Sequence, residues 1–431
     1  GSAGNRTPGS ADAGPAFEGA GNHTPGAEDA GPAFGSAGNR ASGATGSGPA
    51  FRGAGNCATS HHEPAVGDAP DPTPPGTALL VLCGHHLVVD GVSWRILLPD
   101  LAAACKALAE GRAPALDPVG TSYRAWSRLL GEQARTEVRG AELALWQGIL
   151  DGPDPLVGTR RLDLAKDVYG TRRTLRLELG PDVTGPLLTD VPAAFHAEVN
   201  DVLLTGLALA VADWRRRHGH THYAQTLIEL EGHGREQLTD GLDLSRTVGW
   251  FTSAVPVRLD PGALDWDEVW AGGPALATAL KRVKEQLRAL PDRGVGHGLL
   301  RYLNPHAARV LARHERPQLG FNYMGRFDAR ENRLWEPAGG DGVVGTGAHP
   351  AMPLPHLLDV TPATEDRHDG PHLIANWAWA GQAVAEDDAR DIAETWFRAL
   401  DLLVRHTAEP GTGGRTPSDL PLVDLTQDEI E

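Results

Sequence analysis

Cysteine is scarce: Cys57, Cys83 and Cys105 are the only three in 431 residues. An odd, sparse set without metal spacing argues against a disulfide framework and fits a reducing cytosol. Basic residues are also few. Lysine and arginine number 39 against 56 aspartates and glutamates, a net charge of −17. Gripping a nucleic-acid backbone needs clustered cations, so that partner is not expected. No run approaches the roughly 18 apolar residues of a bilayer span, so no membrane segment is expected. No signal peptide is visible, and the expected location is the cytoplasm. The chain opens at Gly1 rather than Met and reads as a piece of something longer. What it does have is length for two or three domains and 41 % hydrophobic residues, enough for a core.

Residues 1–51 are three copies of a 17-residue repeat, GSAGNRTPGSADAGPAF and two variants, with a decayed fourth starting at Arg52. Each copy offers a single Phe in a Gly/Ala/Pro background. That is too little apolar surface to offset ordering entropy, so residues 1–75 are expected to be disordered. Composition changes after Pro75. The apolar run at residues 77–83 (TALLVLC) suits a buried strand. A helix is expected from about Ser93 to Ala109, with Ile96, Leu97, Leu101, Cys105 and Leu108 on one buried face. Amphipathic stretches follow at 122–130 and 137–150, and RTLRLEL (173–179) alternates as a strand does. NDVLLTGLALAVADWRRR (200–217) reads as a strong helix with Asn200 as N-cap. Strands are expected at 223–230, 318–323 and 373–379, and helices at 266–290 and 387–406. Helices and strands mix without strict alternation, which predicts an α+β architecture with open sheets. Polar residues 413–431 read as an interdomain linker.

Four constellations can carry chemistry. In HHLVVDGVSW (85–94) a strand meets a helix, and side-chain alternation would turn His85 and His86 to opposite faces. An exposed cleft histidine is a natural general acid or base, although a bare His-His pair is more often structural. Asp90 and Gly91 suit a tight turn, with Ser93 capping the helix. In EGHGRE (231–236) two glycines free the backbone, so Glu231 is available as a second acid/base, or the stretch is only a charged turn. In SRTVGWFT (245–252), Arg246 is available to pair with a carboxylate such as Asp90, or sits on the surface. In FNYMG (321–325), Asn322 and Tyr323 stand at a strand end where they can donate to a developing oxyanion, or pair structurally. Other patterns carry less. His61 and His62 fall in the repeat segment, His218, His220 and His222 lie in a helix-to-strand loop, and GGDG (339–342) lacks the lysine and helix of a phosphate loop. No Ser or Cys sits in a nucleophile elbow.

Together HHLVVDGVSW, EGHGRE, RTVGWFTSAVPV (246–257), LPDRGVGHGLLRY (290–302) and FNYMGRFD (321–328) resemble, in order, the motifs of epimerization domains of nonribosomal peptide synthetases, within the condensation-domain superfamily. The resemblance runs from about residue 76 to 431. It implies a two-lobe fold similar to chloramphenicol acetyltransferase, with a tunnel at the lobe junction. The implied substrate is an aminoacyl or peptidyl thioester on the 4′-phosphopantetheine arm of a peptidyl carrier protein, supplied alongside other synthetase modules. The implied reaction inverts the α-carbon from L towards D. His86 and Glu231 are then the two acid/base groups, Asp90 orients the motif through a cation, and Asn322 and Tyr323 line the site or steady the enolate. His85, Gly91, Ser93 and Arg246 are supporting. No cofactor on this chain and no metal is implied, because both bases are side chains.

The sequence departs from the family pattern in three places. Little foldable sequence precedes the His-His motif, so the expected organisation is residues 1–75 as repeats, 76–175 as a remnant of the first lobe, 176–412 as the second lobe and 413–431 as linker. Pro99 falls beyond the first turn of the expected helix, where it deletes a hydrogen bond to Arg95 at about 3 kcal/mol unless the helix kinks. His297 stands where the family motif usually has Tyr. A peptide-bond-forming condensation domain and an inactive truncated relic that docks a carrier remain the alternative readings.

Overall fold

A computed structural model describes residues 80, 82–328, 348–423 and 425–430. The repeats, Cys57, His61, His62 and the GGDG segment lie outside the described residues, as does the expectation of disorder over 1–75. All described residues belong to the unit Ala65–Glu431.

The class is α+β around one mixed sheet. Its strands are β1 (Arg172–Leu179), β2 (Thr226–Gly232), β3 (Ser253–Leu259), β4 (Leu319–Phe321), β5 (Arg326–Asp328), β6 (Leu358–Arg367) and β7 (Gly370–Ala380). The order is β1-β7-β6-β4-β2-β3, with β5 also on β6. β6 and β7 form an antiparallel hairpin because Arg367 pairs with Gly370 across a two-residue turn. β4 runs parallel to both β2 and β6, and so joins two antiparallel pairs into one sheet. The long helices Val199–Arg217 and Glu386–Thr407 pack on each other, where the Trp396 indole donates to the Leu203 carbonyl (2.9 Å). Trp377 and Trp379 of β7 and Leu203, Leu204 and Leu207 of the first helix are fully or nearly fully buried in this core. Two buried cations tie surrounding segments to it. Arg215 reaches Asp154 (2.7 Å) and the Pro155 carbonyl (2.6 Å). Lys284 reaches Asp419 (2.6 Å), so part of the expected linker, the turn Pro417–Asp419, is seated on the helix Ala275–Arg288.

Several expectations are corrected. Leu80, Leu82 and Cys83 are exposed and enter no strand. An apolar run becomes a buried strand only where a sheet edge receives it, and among the described residues no strand precedes β1. The helix next to it forms as Gly91–Ala109, but its expected apolar face is only partly covered: Ile96, Leu97 and Leu101 are half-buried, Cys105 is exposed and Leu108 is 64 % exposed. Pro99 lies within it, and the helix runs on past it. Asn200 is inside the helix Val199–Arg217 rather than capping it; Glu198 is the cap, and its N–H donates to Asp201 (2.7 Å). The stretch 266–290 divides into Trp266–Trp270 and Ala275–Arg288, because Gly272, Gly273 and Pro274 interrupt it. The strands β3, β5 and β6 were not read from the sequence.

Candidate active site

The N-terminus of the helix Gly91–Ala109 is held by polar contacts. Asp90 is its N-cap and is buried. Its carboxylate accepts from the Ser93 N–H (2.7 Å), the Ser93 hydroxyl (2.8 Å) and the Phe251 N–H (3.1 Å). Arg235 meets it with both guanidinium nitrogens, at 2.8 and 3.1 Å. Burial would raise the Asp90 carboxyl, but Arg235, Ser93 and the Phe251 N–H outweigh it and hold the group below the usual carboxylate range. Ser93, fully buried, accepts from the Gly249 N–H (3.0 Å), and its single hydroxyl proton lies between Asp90 and the Gly249 carbonyl, whose oxygen is 2.9 Å away. Arg235 also lies 4.1 Å over the Phe251 ring. Residues from three motifs thus close on one carboxylate, Asp90 and Ser93 lying well over a hundred residues before Arg235 and Phe251. The cation at Asp90 is Arg235, not Arg246. Arg246 pairs instead with Asp100 (2.7 and 2.9 Å), further along the same helix. A bidentate partner must approach in the carboxylate plane, and the EGHGRE turn brings Arg235 there. That turn needs Gly234, which adopts φ +66°, where a Cβ would also collide with the Phe251 carbonyl.

His85 and His86 lie at the turn just before the helix, both exposed, and not on a strand. The His85 ring accepts the Leu87 N–H (3.1 Å). The His86 ring sits 5.1 Å from that of Trp250, centroid to centroid. The two rings are therefore set apart by turn geometry rather than strand alternation. Gly91 is exposed, and a Cβ built there would lie 4.0 Å from the Met324 side chain. Arg95 donates to the Met324 carbonyl (3.0 Å), so the FNYMGRF motif is brought to the same helix.

Glu231 projects from β2, half-buried, and accepts a hydrogen bond from the Asn322 amide (2.6 Å). Burial raises its proton affinity, and the charges of Asp359 and Glu229 raise it further, while His356 and His86 pull the other way. The net is a carboxyl held above its ordinary value. Asn322 is at this carboxyl. The Tyr323 hydroxyl is turned elsewhere, against Thr364 of β6 (2.9 Å). Sequence reasoning missed Arg235, though it lay inside a quoted motif. It also missed Glu229, which the two-residue strand period puts on the face of Glu231. His297 is buried against Trp146, with its Nδ1 unpartnered. Burial lowers it to about 4, although the Ala254 backbone and Glu229 favour its charge.

The condensation-domain family model matches residues 75–341. The chain belongs to the condensation-domain family. Its relatives include one of the linear gramicidin synthase proteins of Brevibacillus parabrevis, 37 % identical over 361 residues, covering 83 % of this chain and 4 % of the relative. Tyrocidine synthase 1 of Brevibacillus parabrevis is 30 % identical over 360 residues, covering 82 % of this chain and 31 % of the relative. The chain thus spans a small part of these curated relatives. Among solved structures, the epimerization domain from the third module of tyrocidine synthetase B superposes with a TM-score of 0.63 at 31 % identity. That match covers 75 % of this chain and 68 % of the other. The fold is accordingly that of the family, with its mixed sheet. Among the described residues no single helix is long and apolar enough to cross a membrane.

Proposed function

We propose that this condensation-family domain epimerizes an aminoacyl or peptidyl thioester delivered on the 4′-phosphopantetheine arm of a peptidyl carrier protein, within a cytoplasmic nonribosomal peptide synthetase. The observation that carries this reading is Glu231: a half-buried carboxyl of raised proton affinity that accepts a hydrogen bond from Asn322. Inversion removes the α-proton from one face and returns one to the other. Breaking the Cα–H bond leaves its electron pair in a thioester enolate, and protonation opposite re-forms the bond. Glu231 and His86 come from different elements, as two bases on opposite walls require. Asp90, Ser93 and Arg235 hold the His86 turn by its helix and touch no substrate in this scheme. His85, Gly91 and Arg246 support the same turn and helix. Tyr323 is given no part in steadying the enolate, because its hydroxyl is engaged by Thr364. The similarity at TM-score 0.63 to an epimerization domain supports the same choice.

Peptide-bond condensation is the second reading, favoured by the family model over residues 75–341. One assay separates the two. The chain is incubated with L-aminoacyl carrier alone, or with two differently loaded carriers, and the released products are resolved by chiral chromatography. D-aminoacyl product from the single carrier supports epimerization; a dipeptide without D product supports condensation. Neither product from folded protein would contradict both and leave a domain that only docks a carrier.

A further inference from the structure

Behind Glu231 lies a charge cluster that the proposed reaction does not use. Three strands build it. Glu229 of β2 is in register with Gly320 of β4, and Gly320 with Asp359 of β6. Gly320 leaves a gap between the two carboxylates, and the His356 ring fills it: a Cβ at position 320 would collide with both His356 and Asp359. His356 is 4 % exposed. Its Nδ1 meets Asp359 at 2.7 Å and its Nε2 meets Glu229 at 3.1 Å. A neutral imidazole has one N–H and cannot donate to both carboxylates; the imidazolium can. Burial opposes the charge, but the two hydrogen bonds prevail and push His356 up to about 9. Glu229 and Glu231 share a strand face two residues apart, roughly 7 Å along the chain.

We propose that His356 is a positioning residue for Glu231: clasped over Gly320 between Glu229 and Asp359, it cancels part of the negative charge flanking Glu231 and so governs which protonation state Glu231 presents. With Glu231 protonated the cluster holds one cation and two anions. Ionising Glu231 adds a third anion to the same sheet face. Removing the cation makes that step harder, and removing one anion makes it easier. Other groups that act on Glu231 or this cluster are His86, the Tyr169 hydroxyl, His297 and Arg316; Asn322 is neutral, and the β3 partner of Glu231 is Ala254. None of these stands between the two carboxylates.

The inference rests on the proposed role of Glu231, but its test needs no substrate. The full chain is labelled with ¹³C at glutamate side-chain carboxyls, the Glu231 signal is assigned by its loss in Glu231→Gln, and its midpoint is read by NMR titration. His356→Gln should raise that midpoint by about one pH unit. Glu229→Gln, which is nearly isosteric, should lower it, and the double variant should return towards the wild-type value. A midpoint unmoved in Glu229→Gln and in folded His356→Gln overturns the proposal; if His356→Gln does not fold, Glu229→Gln alone decides. A loss of packing alone would lower turnover without moving the midpoint. If the wild-type chain makes no D product while the midpoints move as stated, the functional reading fails and this one stands.

Discussion

The helices Val199–Arg217 and Gly91–Ala109 are both 19 residues long, and they are held by opposite means. In the first, every residue from Asp201 to Arg215 is buried, so apolar packing fixes it. In the second, only Ser93 and Ala107 are buried, and position is set by polar clamps: Asp90 to Arg235, Ser93 to Gly249, Arg95 to Met324 and Arg246 to Asp100. Hydrophobic attraction is non-directional, whereas a bidentate ion pair specifies an angle. The helix that presents the His-His turn is therefore oriented by directional bonds along its first half, while the sheet that presents Glu231 is packed on a buried core.

Breaking the clamp should have the largest effect. Arg235→Ala leaves the buried Asp90 carboxylate without its cation and should destabilise the 85–109 region by about 3–5 kcal/mol. Hydrogen exchange of the Gly91–Ala109 amides should rise while those of Val199–Arg217 stay protected. Arg235→Lys should rescue little, because lysine cannot make the fork. Next comes the packed helix: Leu207→Ala should cost about 2–5 kcal/mol in urea unfolding, whereas Leu108→Ala, on the exposed face, should stay within about 0.5 kcal/mol.

A third test concerns pH. His356 rises from 6.5 to about 9 on folding, so its stabilisation is complete below pH 6.5 and is lost as pH rises through 9. Wild type should exceed His356→Gln by up to about 3 kcal/mol near pH 6, and the gap should close above pH 9. Pro99→Ala restores a backbone donor to the exposed helix and should slow its amide exchange by up to about 3 kcal/mol of local stability. The smallest effect is expected at the partly exposed pair: Asp100→Asn should cost about 0.2–1 kcal/mol, less at high salt.

How much could be read from the sequence follows the same division. Val199–Arg217 was legible because its interior is continuous apolar sequence; only its cap was misplaced, since Glu198 uses Asp201 rather than its own side chain. β6 was not legible, because LDVTPATEDR pairs Thr, Asp and Glu with small apolar residues and carries Pro362. The motifs were legible as turns and glycines. Their closure on Asp90 was not, because choosing Arg235 over Arg246 depends on how the EGHGRE turn is aimed, and periodicity carries no such information. At its described residues, Leu80, Leu82 and Cys83, the run 77–83 misled because an apolar run states a need for cover without saying whether the fold supplies it. His356 was invisible for a related reason: its partners lie on strands whose register only the folded sheet defines.

The most direct measurement is α-deuterium uptake in D₂O by an L-aminoacyl thioester on a phosphopantetheinylated carrier, comparing wild type with His86→Ala and Glu231→Ala. The account predicts uptake by wild type that falls at least tenfold in each variant, with both variants folded. Equal uptake in all three, or none from soluble, folded wild type, would contradict it.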